Sequence, residues 1–427
     1  AGIVGESDIV GNRQTGQVYA KIDGRLYPAL NLTSARLATG SSVAPTWVTA
    51  AEIAKFPTGP LVGIAGIPDD LPANGGVSAW TVCDTAAAPG TGGGPVVTSI
   101  AGRLARGGRA SAMTPTQAVL ATHDGDTYVI WGGHRSRIDP ADRSVTFTLG
   151  LDAAATAPIA ISNALFDAMP ATEPLVLPVI PEVGTPSRWV PGLPVGAVLE
   201  TRDATGVTSG FYVLLPGGVQ KITSFVADLL RTANAQGSLA PELISPDKLV
   251  NVPAVEDLDV GYYPTSKLDF LDTEAAPVTC VAWEKLASDR QADITVLNGR
   301  GLPVSPVMDS HLVKLVRNDR DPQSVEADQA LVLPGAANLI ATTSGVASSD
   351  TKESLYWVSP QGVRFGIDWD QPTLSALAID PNFAVQAPWP IVRTFAAGPA
   401  ISQRAALVAH DTITTDGAVA PVPGTGG

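Results

Sequence analysis

Sulfur, charge and long apolar runs are all scarce in this chain of 427 residues, and each shortage excludes something. Two cysteines, with no Cys-x-x-Cys spacing, leave no zinc ribbon and no thioredoxin-type redox pair. Only 16% of residues are charged, and acids outnumber bases 41 to 27, giving a net charge of -14 and a pI near 4.7. Nucleic-acid phosphates need a basic footprint, so that class of partner is excluded. Anionic lipid headgroups are excluded on the same ground. Apolar runs are cut by Pro or Gly before they reach the roughly 18–20 residues of a membrane span.

Catalytic signatures are equally thin. There is no Gly-x-Ser-x-Gly elbow. No Gly-x-x-x-x-Gly-Lys-Ser/Thr loop cradles phosphates. Four histidines occur, three of them beside an acid: His123-Asp124, Asp309-Ser310-His311 and His410-Asp411. Neighbours in sequence point apart, so these read as surface or capping residues, as does His134 in a turn. The Gly90–Gly94 run ends at Pro95 and a strand, which makes it an exposed loop rather than an anion site. The segment Glu256–Gly261 lacks the third oxygen ligand and terminal Glu of a calcium loop. Asn31-Leu-Thr33 matches a glycosylation sequon but reads as a helix cap. No catalytic, cofactor-binding or metal residue is therefore assigned.

The material that is present favours a built scaffold. A hydrophobic fraction of 45% and mean hydropathy of +0.18 support packed cores, and the length predicts two or more domains. Gly (42) and Pro (36) fall between apolar runs, the pattern of many short strands. A signature recurs: Phe211 to Gly218-Val219 matches Leu355 to Gly362-Val363, with looser copies at Tyr128–Asp139 and Val18–Leu30. Fixed-spacing self-similarity marks a scaffold assembled from copies. Between residues 111–170 and 325–400, Gly133, Ile138, Asp139 and Phe166 map at one constant offset onto Gly362, Ile367, Asp368 and Phe395.

The resulting expectation is an α+β, elongated, multi-domain chain, with a central β-rich core and four small α+β repeat domains in pseudo-two-fold arrangement. Its segments are repeat 1 (8–57), core (58–110), repeat 2 (111–170), a Pro-rich linker (171–195), repeat 3 (196–253), core (254–324), repeat 4 with return to the core (325–410), and a flexible tail (411–427). Hinge motion is expected at the linker. Expected elements include a helix after Asn31 and a capping box at Thr49–Glu52. Strands are expected at Leu61–Ile64 and Val145–Leu149, a helix from Ser162 to Pro170, and an amphipathic helix capped at Thr223 or Ser224. Cys83 and Cys280 each lie in a strand-like run. They form either one disulfide or two separate buried thiols. The pairing is favoured because each has a tryptophan three residues away, in mirrored order. Arg103, Arg106, Arg109, Arg135 and Arg137 cluster in an acidic chain, either as solvated faces or as a docking edge for an acidic partner.

Several segments carry a family resemblance. Leu26-Tyr-Pro-Ala-Leu-Asn-Leu-Thr-Ser-Ala-Arg-Leu37, Gly59–Pro68 followed by Trp80–Asp84, Gly218–Leu230, and Pro388–Val408 resemble segments of EccB, a membrane component of the actinobacterial type VII (ESX) secretion machine. The resemblance runs from about residue 8 to residue 410. It implies a core with four repeats on the outer side of the cytoplasmic membrane and a disulfide between Cys83 and Cys280. The implied partners are other ESX membrane subunits including the FtsK-like motor, further copies of the chain, and peptidoglycan. The family's membrane helix is not in this sequence, which makes this the outward-facing portion. Family members have also been described as ATPases, so ATP enters as a cofactor only under that alternative. The leading functional expectation is an assembly subunit of the secretion complex.

Overall fold

The first repeat shows how local chemistry sets the unit. Ile9–Asn12, Val18–Ile22 and Arg25–Ala29 form an antiparallel meander, its second turn made by Asp23 and Gly24. Both residues have positive φ (51° and 75°), as a two-residue turn matching the strand twist requires. The Asn31 side chain accepts the Ser34 N–H and starts the helix Leu32–Thr39, which Gly40 ends in left-handed conformation. The chain then returns as Thr46–Val48, parallel to the first strand, with Trp47 opposite Gly11. Thr49 caps a short helix, Ala50–Ile53, and Thr58 comes to rest beside Leu26 on the opposite edge.

This path is traced three more times in the computed structural model, which describes residues 2–151, 156–233, 240–316 and 323–414. In the second unit the meander is Gln117–His123, Asp126–Trp131 and His134–Ile138. It is followed by helix Arg143–Thr148, parallel strand Ile159–Ala160, and helix Asn163–Ala168. The third runs Val198–Arg202, Thr208–Leu215, Gly218–Ile222, helix Ser224–Ala233, strand Glu242–Leu243 and the 3-10 turn Pro246–Leu249. The fourth runs Leu339–Thr343, Leu355–Val358, Val363–Ile367, helix Gln371–Leu377, strand Val385–Pro388 and helix Trp389–Val392.

Two expected strands differ. The β-branched run from Val145 to Leu149 lies largely in the helix Arg143–Thr148, because Asp142 accepts the Ser144 and Val145 N–H groups and starts a helix there. The strand at Leu61 stops at Val62, since Gly63 has a φ of 129°.

Among the described residues, seven strands make the central sheet. Its order is Val313–Lys314, Gln329–Val332, Val96–Ala101, Ser78–Thr85, Val278–Lys285, Asp293–Gly299 and Ala110–Ala112. The middle pair is antiparallel, with Cys83 opposite Cys280, Val82 opposite Val281 and Trp80 opposite Trp283. The halves also exchange edge strands. Ala110–Ala112 crosses to pair with Asp293–Gly299, while Gln329–Val332 crosses back to Val96–Ala101. The first pairing is antiparallel and the second parallel, so the two-fold is approximate.

Side-chain alternation gives the sheet two covered faces. Trp80, Val82, Val281 and Trp283 take Leu165 and Met169 from the second unit, and Ile391, Val392 and Phe395 from the fourth. The other face packs Cys83, Cys280, Ile100 and Leu297 under Leu302, Val304 and Leu333. Outer units pair as well: helix Leu32–Thr39 shares a core with Leu374 and Ala406, and Val145 and Leu149 share one with Phe225 and Leu229. Leu175, Ile180 and Val195 of the proline-rich stretch 171–195 are buried in that second core. These buried anchors, spaced along an otherwise largely exposed stretch, oppose the hinge motion expected of it.

Candidate functional site

The centre of the molecule is the ribbon formed by Ser78–Thr85 and Val278–Lys285. Cys83 and Cys280 are joined, with Cα atoms 4.1 Å apart and 197 residues between them in sequence. Both are fully buried, so the bond is a structural tie between the halves. The mirrored Trp-x-x-Cys and Cys-x-x-Trp order follows from antiparallel register, which sets like residues opposite each other.

Next to it stands a residue that sequence reasoning passed over. Asp84 is 1% exposed. One carboxyl oxygen accepts the Ser162 N–H and the other its hydroxyl, both at 2.6 Å. The Ser162 oxygen in turn accepts the Leu165 N–H, capping helix Asn163–Ala168. Asp84 thereby fixes the second unit onto the central sheet. Burial pushes its pKa up to about 7, against the Ser162 hydrogen bonds, with Asp328 adding a like charge. The available signal was the one charged residue of the strand Ser78–Thr85.

The arginine cluster disperses. Arg109 grips Asp309 with two hydrogen bonds of 2.8 Å, which holds its own pKa up and that of Asp309 down. Arg103 pairs with Glu284 and Arg137 with Asp126. Arg135 lies inside the second unit, its guanidinium carbon 3.6 Å from the Phe166 ring centre and its Nε donating to the Phe166 carbonyl. His123 also stacks on Phe166, at 3.8 Å and 8°. Two groups that close must occupy opposite faces of the ring. In the fourth unit Arg364 repeats the motif, stacking on Trp389 and donating Nε to the Phe395 carbonyl. Burial lowers the pKa of both arginines. Arg135 and Arg364 stand at the same constant offset as Phe166 and Phe395, so the pair was readable in principle.

The histidines are scattered. His123 Nε2 donates to Asn163 Oδ1 at 2.7 Å, and its Asp124 neighbour is 3.8 Å away, beyond hydrogen-bond reach. His410 donates to the Gly63 carbonyl, His311 meets Ser310, and burial lowers the pKa of His134. Leu258 in the calcium-like segment is bound through its backbone to the Gln220 amide at both ends. Among the described residues no group of acids, histidines and cysteines could hold a metal.

Two clefts flank the ribbon, one at each end. About 650 Å³ opens beside the fourth unit between Gly75–Ser78, Lys285, Lys352 and Phe383–Gln386. About 500 Å³ opens beside the second unit between Pro89, Pro95, Ile159, Glu274 and Pro277. No described helix is long and apolar enough to cross a membrane.

A family model described as Type VII secretion system ESX-1, transport TM domain B, matches residues 1–415. The chain belongs to the EccB family. Similar EccB proteins include the ESX-2 secretion system ATPase EccB2 of Mycobacterium tuberculosis, 62% identical over 99% of this chain and 85% of the relative. The ESX-3 secretion system ATPase EccB3 of Mycolicibacterium smegmatis is 38% identical over 97% of this chain and 80% of the relative. A solved chain in the periplasmic assembly from the ESX-5 inner membrane complex aligns with TM-score 0.84 at 36% identity. It covers 97% of this chain and 99% of that one. The EccB3 dimer from the ESX-3 core complex aligns at 0.81 and 35% identity, over 94% and 100%.

Proposed function

We propose that this EccB chain is the outward-facing scaffold subunit of a type VII secretion complex. It would hold further copies of itself and other membrane subunits, an FtsK-like motor among them, and orient them in the envelope. The observation that carries this reading is the interlocked build: four copies of one unit around a sheet whose halves exchange edge strands and share a buried disulfide. Such a body transmits position, because its parts cannot move without breaking a shared core. The similarity to chains solved within ESX inner membrane complexes supports the same reading. Native gels of the assembled membrane complex test it: charge reversals on exposed unit surfaces should disperse the complex while the isolated chain stays folded. A complex that survives every such change removes the scaffold reading.

A second reading, hydrolysis of ATP, is favoured by the name carried by similar proteins. It requires turnover by the purified chain that persists after contaminating ATPases are removed and disappears when one lining residue of a cleft is changed. Retention on purified peptidoglycan, with release by soluble muropeptides, would instead support a wall-binding role.

A further inference from the structure

The two clefts of the central ribbon are counterparts under the pseudo-two-fold, which makes the difference between them informative. Each is walled by the ends of the two middle strands and by residues leading into the parallel edge strand of a docked unit. The cleft beside the second unit is lined by Ala, Gly and Pro with Ile159 and Thr273, and Glu274 is its charged member. The cleft beside the fourth unit carries Lys285 and Lys352.

Lys285 donates to Gln386 Oε1 at 2.7 Å and Lys352 to the Ala384 carbonyl at 2.9 Å. These acceptors are neutral and two residues apart, so both ammonium groups are drawn to one wall. An ammonium has three donors, and each lysine spends one here. Neither lysine takes part in a described ion pair, although acids outnumber bases 41 to 27 in the chain. Phe383 supplies an apolar rim: it is 75% exposed on the turn Pro381–Phe383, which the Asp380 carboxylate caps through the Asn382 N–H. Gly75 and Gly76 leave part of the facing wall without side chains.

We propose that this cleft binds an acidic polypeptide segment, its carboxylates meeting Lys285 and Lys352 and an adjacent apolar side chain covering Phe383. The volume lies within the usual range for ligand pockets. A polypeptide is favoured over a glycan because the cleft sets two cations, Lys285 and Lys352, beside an exposed apolar ring, Phe383. That surface suits alternating acidic and apolar side chains. The inference stands apart from the scaffold reading, since it is tested on the isolated chain rather than on the complex.

The probe is a fluorescein-labelled, end-blocked Glu-Leu-Glu-Leu-Glu peptide, followed by anisotropy. It should bind, and binding should weaken as NaCl rises from about 0.05 to about 0.5 M. Lys285→Gln with Lys352→Gln should lower affinity by at least about tenfold, and Phe383→Ser by several-fold. Glu274→Lys, in the counterpart cleft, should leave it unchanged. Thermal melts matching the parent chain separate lost binding from lost folding. The proposal is overturned if a Lys-Leu-Lys-Leu-Lys peptide binds equally, if the double variant keeps full affinity, or if no binding is seen up to about 1 mM. Binding of muropeptides in place of the acidic peptide overturns the polypeptide assignment.

Discussion

Asp84 holds a carboxyl group where water cannot reach it, and its position has a measurable signature. A carboxyl in an unfolded chain titrates near 3.9. In the folded chain burial holds the Asp84 value at about 7. Between these values the native state binds a proton that the unfolded state does not, so this residue's contribution is fully present below about pH 4 and is lost as pH rises through 7. Across the window it amounts to on the order of 4 kcal/mol. Urea melts at pH 5 and pH 8 should show the parent chain gaining stability on acidification relative to Asp84→Asn. Equal pH dependence in both proteins would refute the assignment. Arg135 makes a second residue-scale case. Arg135→Glu places a carboxylate against Phe166 and abandons a carbonyl acceptor, and should cost about 2–3 kcal/mol in a thermal melt. Arg137→Glu, whose side chain lies half in solvent beside Asp126, should cost under about 1 kcal/mol.

The same short element is used in two ways, and one position decides which. Counting three residues past the cap, the second and fourth units have Leu165 and Ile391, while the first and third have Glu52 and Lys248. Leu165 and Ile391 are buried on the tryptophan face of the central sheet. Lys248 is exposed, and Glu52 accepts from Lys55. Burying an apolar residue there docks the unit, because a charged one would have to surrender its hydration. Leu165→Ala should therefore lose about 2–5 kcal/mol, whereas Lys248→Ala should stay within about 0.5 kcal/mol by the same denaturant measurement. This distinction follows from counting along each helix from its own cap, and not from the constant offset, under which Ile391 falls on Ser162. The helix Arg143–Thr148 shows the limit: its β-branched residues favour a strand, and a cap at Asp142 that pattern reading had not weighed outvotes them.

At the scale of the whole molecule the disulfide and the exchanged strands make two halves into one body. Replacing Cys83 and Cys280 together by Ala removes a cross-link spanning 197 residues and should lower stability by about 2–4 kcal/mol. Calorimetry should still show the central sheet and its docked units unfolding together, because their shared core survives the change. Separate transitions for the two halves would contradict the interlocked architecture. The sequence by itself determined the repeated unit, its turns and caps, the kinship of the halves and the family, since these rest on local backbone preferences and on spacing that survives duplication. Only the tertiary structure decided which units dock on the sheet, that the connector is anchored at Leu175, Ile180 and Val195, that Arg109, Arg135 and Arg137 are engaged within their own chain, and that the two end clefts differ in charge. Those outcomes depend on residues far apart in sequence meeting in one dry interior, where the cost of an unpaired charge is set by neighbours that no local pattern names.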